Sequence, residues 1–344
     1  MTQISGSPAR AVPSPGAALG SGVNDPSKSE ASRMIDRTDV QAAAARISDR
    51  VRTTALITVD DLLPGAAVWL KLEQSQHTGS FKARGAFNRI LATAERGGVP
   101  DSGVVAASGG NAGLAVAYAA AQLGIPAEVY VPENAPAVKV AKLRQFGAKV
   151  VQVGQRYLDA YEAASQRVAA SGALFCHAYD QPEIVAGQGT LGWEIRQQSG
   201  DEVDTILVAV GGGGLMAGIA AATEGRAKVV GVEPKAAPTL HEALTAGEPV
   251  DVEVSGVAAD SLGASRIGEI AFAVAARAGV RSVLVSDDEI TQARRELWQR
   301  YRLIVEHGTA AAVAALITGA YRPADGERIA IVLCGANTDP SDLG

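Results

Sequence analysis

The sequence predicts an α/β protein built from two doubly wound domains with mainly parallel sheets. Three observations carry this expectation. From Val40 onward short β-rich runs alternate with helical stretches, the pattern of strand–helix–strand units. The runs are continuously apolar, as strands covered on both faces are. Glycine and proline close the helical stretches: Gly147 in "FGAK", and Gly124 with Pro126 in "LGIPAE". At about 100 to 200 residues per domain, 344 residues leave room for two units with ample core.

Taken in order, a strand is expected over "AVWLKLE" (67–73) and a helix over Ala83 to Glu95. Next come "GVVAAS" (103–108) and a helix from Ala112 to Leu123, "AEVYVP" (127–132) and Pro136 to Phe146, then "AKVVQV" (148–153) and Tyr157 to Ala170. The second series runs through Glu183 to Gln198, "DTILVAV" (204–210), Leu215 to Thr223, "AKVVGVEP" (227–234) and "SVLVSD" (282–287). Helices over Asp288 to Arg302 and Thr309 to Ile317 and a strand at "ERIAIVLC" (327–334) complete it. In open sheets of this type ligands bind beyond the carboxyl ends of the strands, so chemistry is sought in the loops that follow them.

Composition narrows the function classes. A formal net charge of −6 without a long basic run gives no electrostatic footprint for nucleic acid and leaves small molecules as partners. The longest apolar run, around Gly113 to Ala121, falls short of the roughly 18 to 20 residues a membrane helix needs. Two cysteines, Cys176 and Cys334, are too few for a disulfide framework and point to a reducing, cytoplasmic setting. Residues 1–36, rich in Pro, Ser, Gly and Ala, read as a disordered tail with no signal-peptide pattern.

Three strands end in small-residue loops that open helices: "SGGNAG" (108–113), "GGGGLMAG" (211–218) and "CGAN" (334–337). Four successive glycines let backbone N–H groups converge on an anion at the positive end of a helix, which makes a phosphate cradle. Gly212, Gly214 and Ala217 also satisfy G-x-G-x-x-A, with Glu233 21 residues after Gly212, so an NAD-dependent oxidoreductase is one reading of this loop. Ser108, Gly109 and Asn111 would stand at a helix N-terminus suited to a carboxylate, while serine there also serves as an ordinary N-cap. Lys82, in "HTGSFKARGAF" (77–87), would by itself be a solvated surface charge.

Taken together, "KLEQSQHTGSFKARGAFNRI", "ASGGNAGLAVAYAA", "GQGTLGWEI", "VAVGGGGLMAGIAAA" and "GVEP" resemble, in order and separation, the fold type II pyridoxal-phosphate-dependent threonine/serine dehydratases, a family that includes serine racemase. The resemblance runs from about Arg52 to Thr338 and implies a large cofactor-binding domain of 37–102 and 182–344 around a small domain of 103–181. It implies that Lys82 carries the cofactor as a Schiff base and, once freed, takes the substrate's α-proton. Phe81 would pack beside the ring, Asn111 would bond its 3′ oxygen, and Gly211, Gly212, Gly213 and Gly214 with Leu215 would hold the phosphate, which helps protonate the leaving hydroxyl. Ser108, Gly109 and Asn111 would bind substrate. Cys334 would face the pyridine nitrogen as a neutral, weak partner, a thiol having an ordinary pKa of about 8.5; such a partner favours prompt β-elimination over a long-lived carbanion. Read alone, Cys334 is equally a small buried hydrophobe.

The chain departs from the family in several places. The loop position where serine racemase carries its second acid/base is Gly109, and glycine cannot deliver a proton, which argues against a two-face racemase. Ala112 stands where a histidine is usual, and His307 where a proline is. The family's divalent-cation site resembles Glu233, the Ala237 carbonyl and Thr239, but Thr239 replaces an Asp and a hard cation prefers carboxylate oxygen, so no metal is assigned. The implied activity is removal of water and then ammonia from a 3-hydroxy amino acid, L-threonine or L-serine, with 3-hydroxyaspartate, phenylserine and racemisation as alternatives. The family assembles as homodimers, sometimes tetramers, and no room remains after Asn337 for the regulatory module of biosynthetic threonine deaminases.

Overall fold

A computed structural model describes residues 34–63 and 65–343. Residues 1–33 of the expected tail lie outside them, and its last positions need correction. Ile35 is buried in the larger core, and Asp36 caps the first helix by accepting from the amides of Thr38 and Asp39, so ordered structure begins before residue 37.

The described chain runs α1 (Arg37–Ile47), β1 (Leu56–Val59), β2 (Ala67–Lys71), two 3₁₀ turns (Glu73–Ser75 and His77–Gly79) and α2 (Lys82–Glu95). Then come β3 (Val104–Ala107), α3 (Asn111–Gln122), β4 (Ala127–Val131), α4 (Ala137–Gln145), β5 (Lys149–Gln152), α5 (Tyr157–Ser171) and β6 (Leu174–Phe175). The remainder is α6 (Pro182–Ser199), β7 (Thr205–Ala209), α7 (Gly214–Thr223), β8 (Lys228–Pro234), α8 (Thr239–Ala246), α9 (Glu269–Ala278), β9 (Arg281–Val285), α10 (Asp287–Tyr301), α11 (His307–Ile317) and β10 (Arg328–Val332).

Two sheets result. The larger has the order β1-β2-β10-β7-β8-β9 and is parallel apart from the edge pair β1–β2. The smaller, β5-β4-β3-β6, is parallel throughout. Alternate residues of β3 serve different cores: Val104 and Ala106 pack with α2 and α3, whereas Val105 and Ala107 pack with α5. Helices therefore cover both faces of the small sheet, which is why its strands read as unbroken apolar runs.

Five elements were not anticipated: α1, β1, β6, α8 and α9. Two-residue β6 and four-residue β1 are too short for a periodic signal, whereas α9 does bury one face, Ile270, Ala271, Val274 and Ala275, with a 3.6-residue spacing that sequence reasoning missed. The polar-rich α1 forms because tertiary contact buries Val40, Ala43 and Ile47.

Candidate active site

Because the strands are parallel, their carboxyl ends bring together the loops after β2, β3, β7 and β10. The loop after β2 is the most contorted. Thr78 has φ 62°, a left-handed conformation that a β-branched residue adopts only at a cost of about 1–3 kcal/mol. Gly79 follows at φ 76°, and extended Ser80 bridges Gly335. The buried hydroxyls of Thr78 and Ser80 have no hydrogen-bond partner among the described residues.

Lys82 starts α2. Its ammonium donates to the Ala178 carbonyl at 2.7 Å and lies 4.8 Å from the centre of the Phe81 ring. Burial lowers its pKa from 10.5 to about 8, and the nearby Cys334 and Glu306 recover only part of that loss. No carboxylate pairs with it among the described residues. Phe81 is held from the other side, its N–H donating to the Cys334 carbonyl at 3.0 Å.

The glycine loop packs against Tyr179, the residue after Lys82's acceptor Ala178. A Cβ on Gly212 would stand 2.3 Å from the Tyr179 ring, and Gly213 has φ 82°, so both positions exclude other residues on steric or conformational grounds. Gly211 enters the turn and Gly214 opens α7, whose first N–H groups have no partner within the helix. Leu215 has its side chain in the larger core, so only its backbone is offered to a ligand.

At the head of α3, the Ser108 hydroxyl accepts from Gly110 N at 3.2 Å, and Asn111 is the first helical residue. A Cβ on Gly109 would meet only Val131 at 3.5 Å, an ordinary contact, so space alone does not demand glycine there. The missing hydroxyl is a chemical difference and not a packing one.

Cys334 is buried. Its thiol lies 3.1 Å from the Thr309 hydroxyl, and burial pushes its pKa up to about 12, so it is a neutral thiol at physiological pH. Both cysteines are free.

Sequence reasoning missed Glu306 and gave Asn337 no role. The Glu306 carboxylate, its pKa raised by burial, accepts from Asn111 Nδ2 at 2.9 and 3.1 Å and from Asn337 N at 2.9 Å. The Asn337 carboxamide donates to the Thr78 carbonyl at 2.7 Å and to Asn111 Oδ1 at 2.6 Å. Asn337 stood in the quoted "CGAN", whereas no local pattern marks Glu306, whose importance comes from a partner 195 residues away.

Glu233 is not poised for a ribose. Its carboxylate accepts from Leu240 N at 2.6 Å, His241 N at 2.9 Å, Ser282 Oγ at 2.7 Å and Thr239 Oγ1 at 3.2 Å. It caps α8 from β8, so the G-x-G-x-x-A spacing arises from a strand–turn–helix connection and the dinucleotide reading fails. Its lone pairs are committed to the protein.

With this geometry in hand, the comparisons with known proteins are decisive. The profile of the family described as "Pyridoxal-phosphate dependent enzyme" matches residues 47–335. The chain belongs to that family. Its fold is type II, and its cofactor is pyridoxal phosphate. The chain is similar to an L-threonine ammonia-lyase of Geobacter sulfurreducens, 39% identical over 311 residues, covering 89% of this chain and 76% of the relative. A phenylserine dehydratase of Ralstonia pickettii is 38% identical over 309 residues, covering 88% and 94%. Among solved structures, a T.th. threonine deaminase superposes with TM-score 0.80 at 36% identity, covering 89% of this chain and 99% of that one. Among the described residues no helix is long and apolar enough to cross a membrane.

Proposed function

We propose that this pyridoxal-phosphate lyase removes water and then ammonia from L-threonine or L-serine, giving a 2-oxo acid, with Lys82 as both covalent tether and base. The observation that carries the reading is a desolvated amine, ion-paired with no carboxylate among the described residues, whose acceptor Ala178 precedes the tyrosine packed on a glycine loop that opens a helix. The residues present fit the cofactor. They offer a primary amine for its aldehyde, backbone N–H groups at Gly211 to Leu215 for its phosphate, Phe81 for its ring, Asn111 for its ring oxygen and a neutral Cys334 thiol for its nitrogen. The unpaired hydroxyls of Thr78 and Ser80 add polar capacity beside it.

When bound, the cofactor supplies an electron sink for bonds broken at the substrate's α-carbon. Lys82, with its pKa drawn down to about 8, gains a neutral fraction able to accept the α-proton as the pH rises toward 8, where an ordinary lysine would stay protonated. Ser108, Gly109 and Asn111, at the head of α3, receive the substrate carboxylate on backbone N–H groups and the helix dipole. Glycine at 109 leaves no proton donor there, which supports a lyase over a racemase. Cys334, uncharged at the ring nitrogen, supports prompt elimination. We also read residues 37–102 and 182–344 as the cofactor-binding domain and 103–181 as a small domain, since the two sheets divide along those segments. A cytoplasmic homodimer is part of the same reading.

A second reading extends the side chain to an aryl group. Tyr157 and Tyr161 stand 6.2 Å apart, Tyr161 and His177 6.2 Å, and His177 and Tyr179 4.7 Å, an aromatic series that ends on either side of Ala178, the acceptor of Lys82. The phenylserine dehydratase relative favours the same extension.

Purified protein should release 2-oxo acid from L-threonine, L-serine, phenylserine or 3-hydroxyaspartate, with the rates ranking the readings. Borohydride reduction followed by peptide mass mapping should find the cofactor on Lys82. An unmodified Lys82 peptide from fully loaded protein overturns the assignment.

A further inference from the structure

Lys142, on α4, is a cation that the chemistry above does not use. One turn earlier, Lys139 pairs with Asp260, as surface lysines do. Lys142 instead sends its ammonium inward to the neutral Asn337 Oδ1 at 2.6 Å, and among the described residues no carboxylate pairs with it. An ammonium only donates, and a carboxamide has one oxygen and one NH₂ group, so this contact decides which way Asn337 faces. With Oδ1 turned to Lys142, Asn337 Nδ2 donates both protons, to Thr78 O at 2.7 Å and to Asn111 Oδ1 at 2.6 Å. Asn111 is thereby fixed in turn, its Oδ1 occupied and its Nδ2 directed to Glu306 at 2.9 and 3.1 Å. Flipping either amide would oppose donor to donor and oxygen to oxygen, and several hydrogen bonds would be lost together.

The series therefore has a donor-only end, Lys142, and an acceptor end, Glu306, and the two amides between them have one consistent orientation. It also crosses between the sheets: Lys142 and Asn111 follow strands of the smaller, while Thr78, Asn337 and Glu306 belong with the larger.

We propose that Lys142 is a positioning residue for the cofactor. Through Asn337 it holds the Asn111 amide in one orientation, its Nδ2 turned to the Glu306 carboxylate, from which the same NH₂ group serves the oxygen of the pyridoxal ring. This rests on the assignment of Asn111 as a cofactor ligand.

The test uses the full-length protein, with pyridoxal phosphate titrated into apoprotein. Lys142→Met should weaken cofactor binding about tenfold, the equivalent of one charge-assisted hydrogen bond. It should also move the pH midpoint or wavelength of the bound cofactor's visible band, which a packing defect would not do. Lys142→Arg, which keeps a donor-only cation, should restore both. Asn337→Ala should weaken binding similarly, and the double variant should be no worse than the single ones, because both break one series. Unchanged affinity and spectrum in Lys142→Met, or strictly additive losses in the double variant, overturn the proposal. A wild-type protein that binds cofactor without Asn111-dependent spectra overturns the underlying assignment as well, so the two failures are told apart by Asn111→Ala.

Discussion

Lys82 and Arg84 stand two residues apart at the head of α2, and burial has made opposite things of them. The Arg84 side chain is 0% exposed and so is that of Glu73, which grips it at 2.6 and 2.9 Å, while Glu194 accepts from it at 2.7 Å. Burial works against its charge, but Glu73 and Glu194 outweigh it and raise its pKa further. Lys71 joins the group, also buried, donating to Glu194, Thr54 O and Gln198 at 2.8 Å each. Among the described residues Lys82 has no ion pair, a carbonyl and the face of the Phe81 ring being its contacts, so desolvation outweighs Cys334 and Glu306 and its amine becomes easy to neutralise. A buried cation with counter-ions is structural, whereas one without them is chemically reactive.

Three measurements put this contrast at risk. The largest effect belongs to Lys82→Ala, which should remove catalysis by about 10⁴-fold, the upper end of what a positioned proton-transfer group contributes, and abolish covalent cofactor capture. Its urea midpoint should barely move, since no ion pair is lost; a large loss of stability would show that Lys82 is structural after all.

Next comes Arg84→Met, which strands the Glu73 and Glu194 carboxylates in the interior. Unfolding free energy from urea titration should fall by about 3–5 kcal/mol, the cost of breaking a buried pair from one side. A loss below about 1 kcal/mol, the level of an exposed pair, would mean that water reaches the cluster.

The smallest effect is a slope. The rate at which apoprotein captures pyridoxal phosphate follows the neutral fraction of Lys82, so it should climb about tenfold per pH unit below the pKa and level off above about pH 8. A rate still climbing beyond pH 9 would mean that the amine keeps the value of an ordinary exposed lysine.

Much of this was legible in the chain. The alternation of apolar runs with helical stretches marked most of the parallel strands, and the glycine loop and the Lys82 segment were visible as short motifs, because each is made by neighbours in sequence. Glu306 and Lys142 were not, since each acquires its role from a residue 195 positions away. The dinucleotide reading of the Gly212–Glu233 spacing failed for the same reason: the spacing was right, but Leu240, His241 and Ser282 had already claimed the Glu233 oxygens.

The order of residues along the chain was enough to set the α/β class, the small-residue loops after the strands and the family, since local periodicity and clustered motifs depend only on near neighbours. Which of two adjacent cations is neutralised by carboxylates, and which is left to react, was settled by the folded arrangement. Solvation and pairing are set by what surrounds a side chain in space, and the groups that surround Arg84 and Lys82 come from segments as far apart as Glu73 and Glu306.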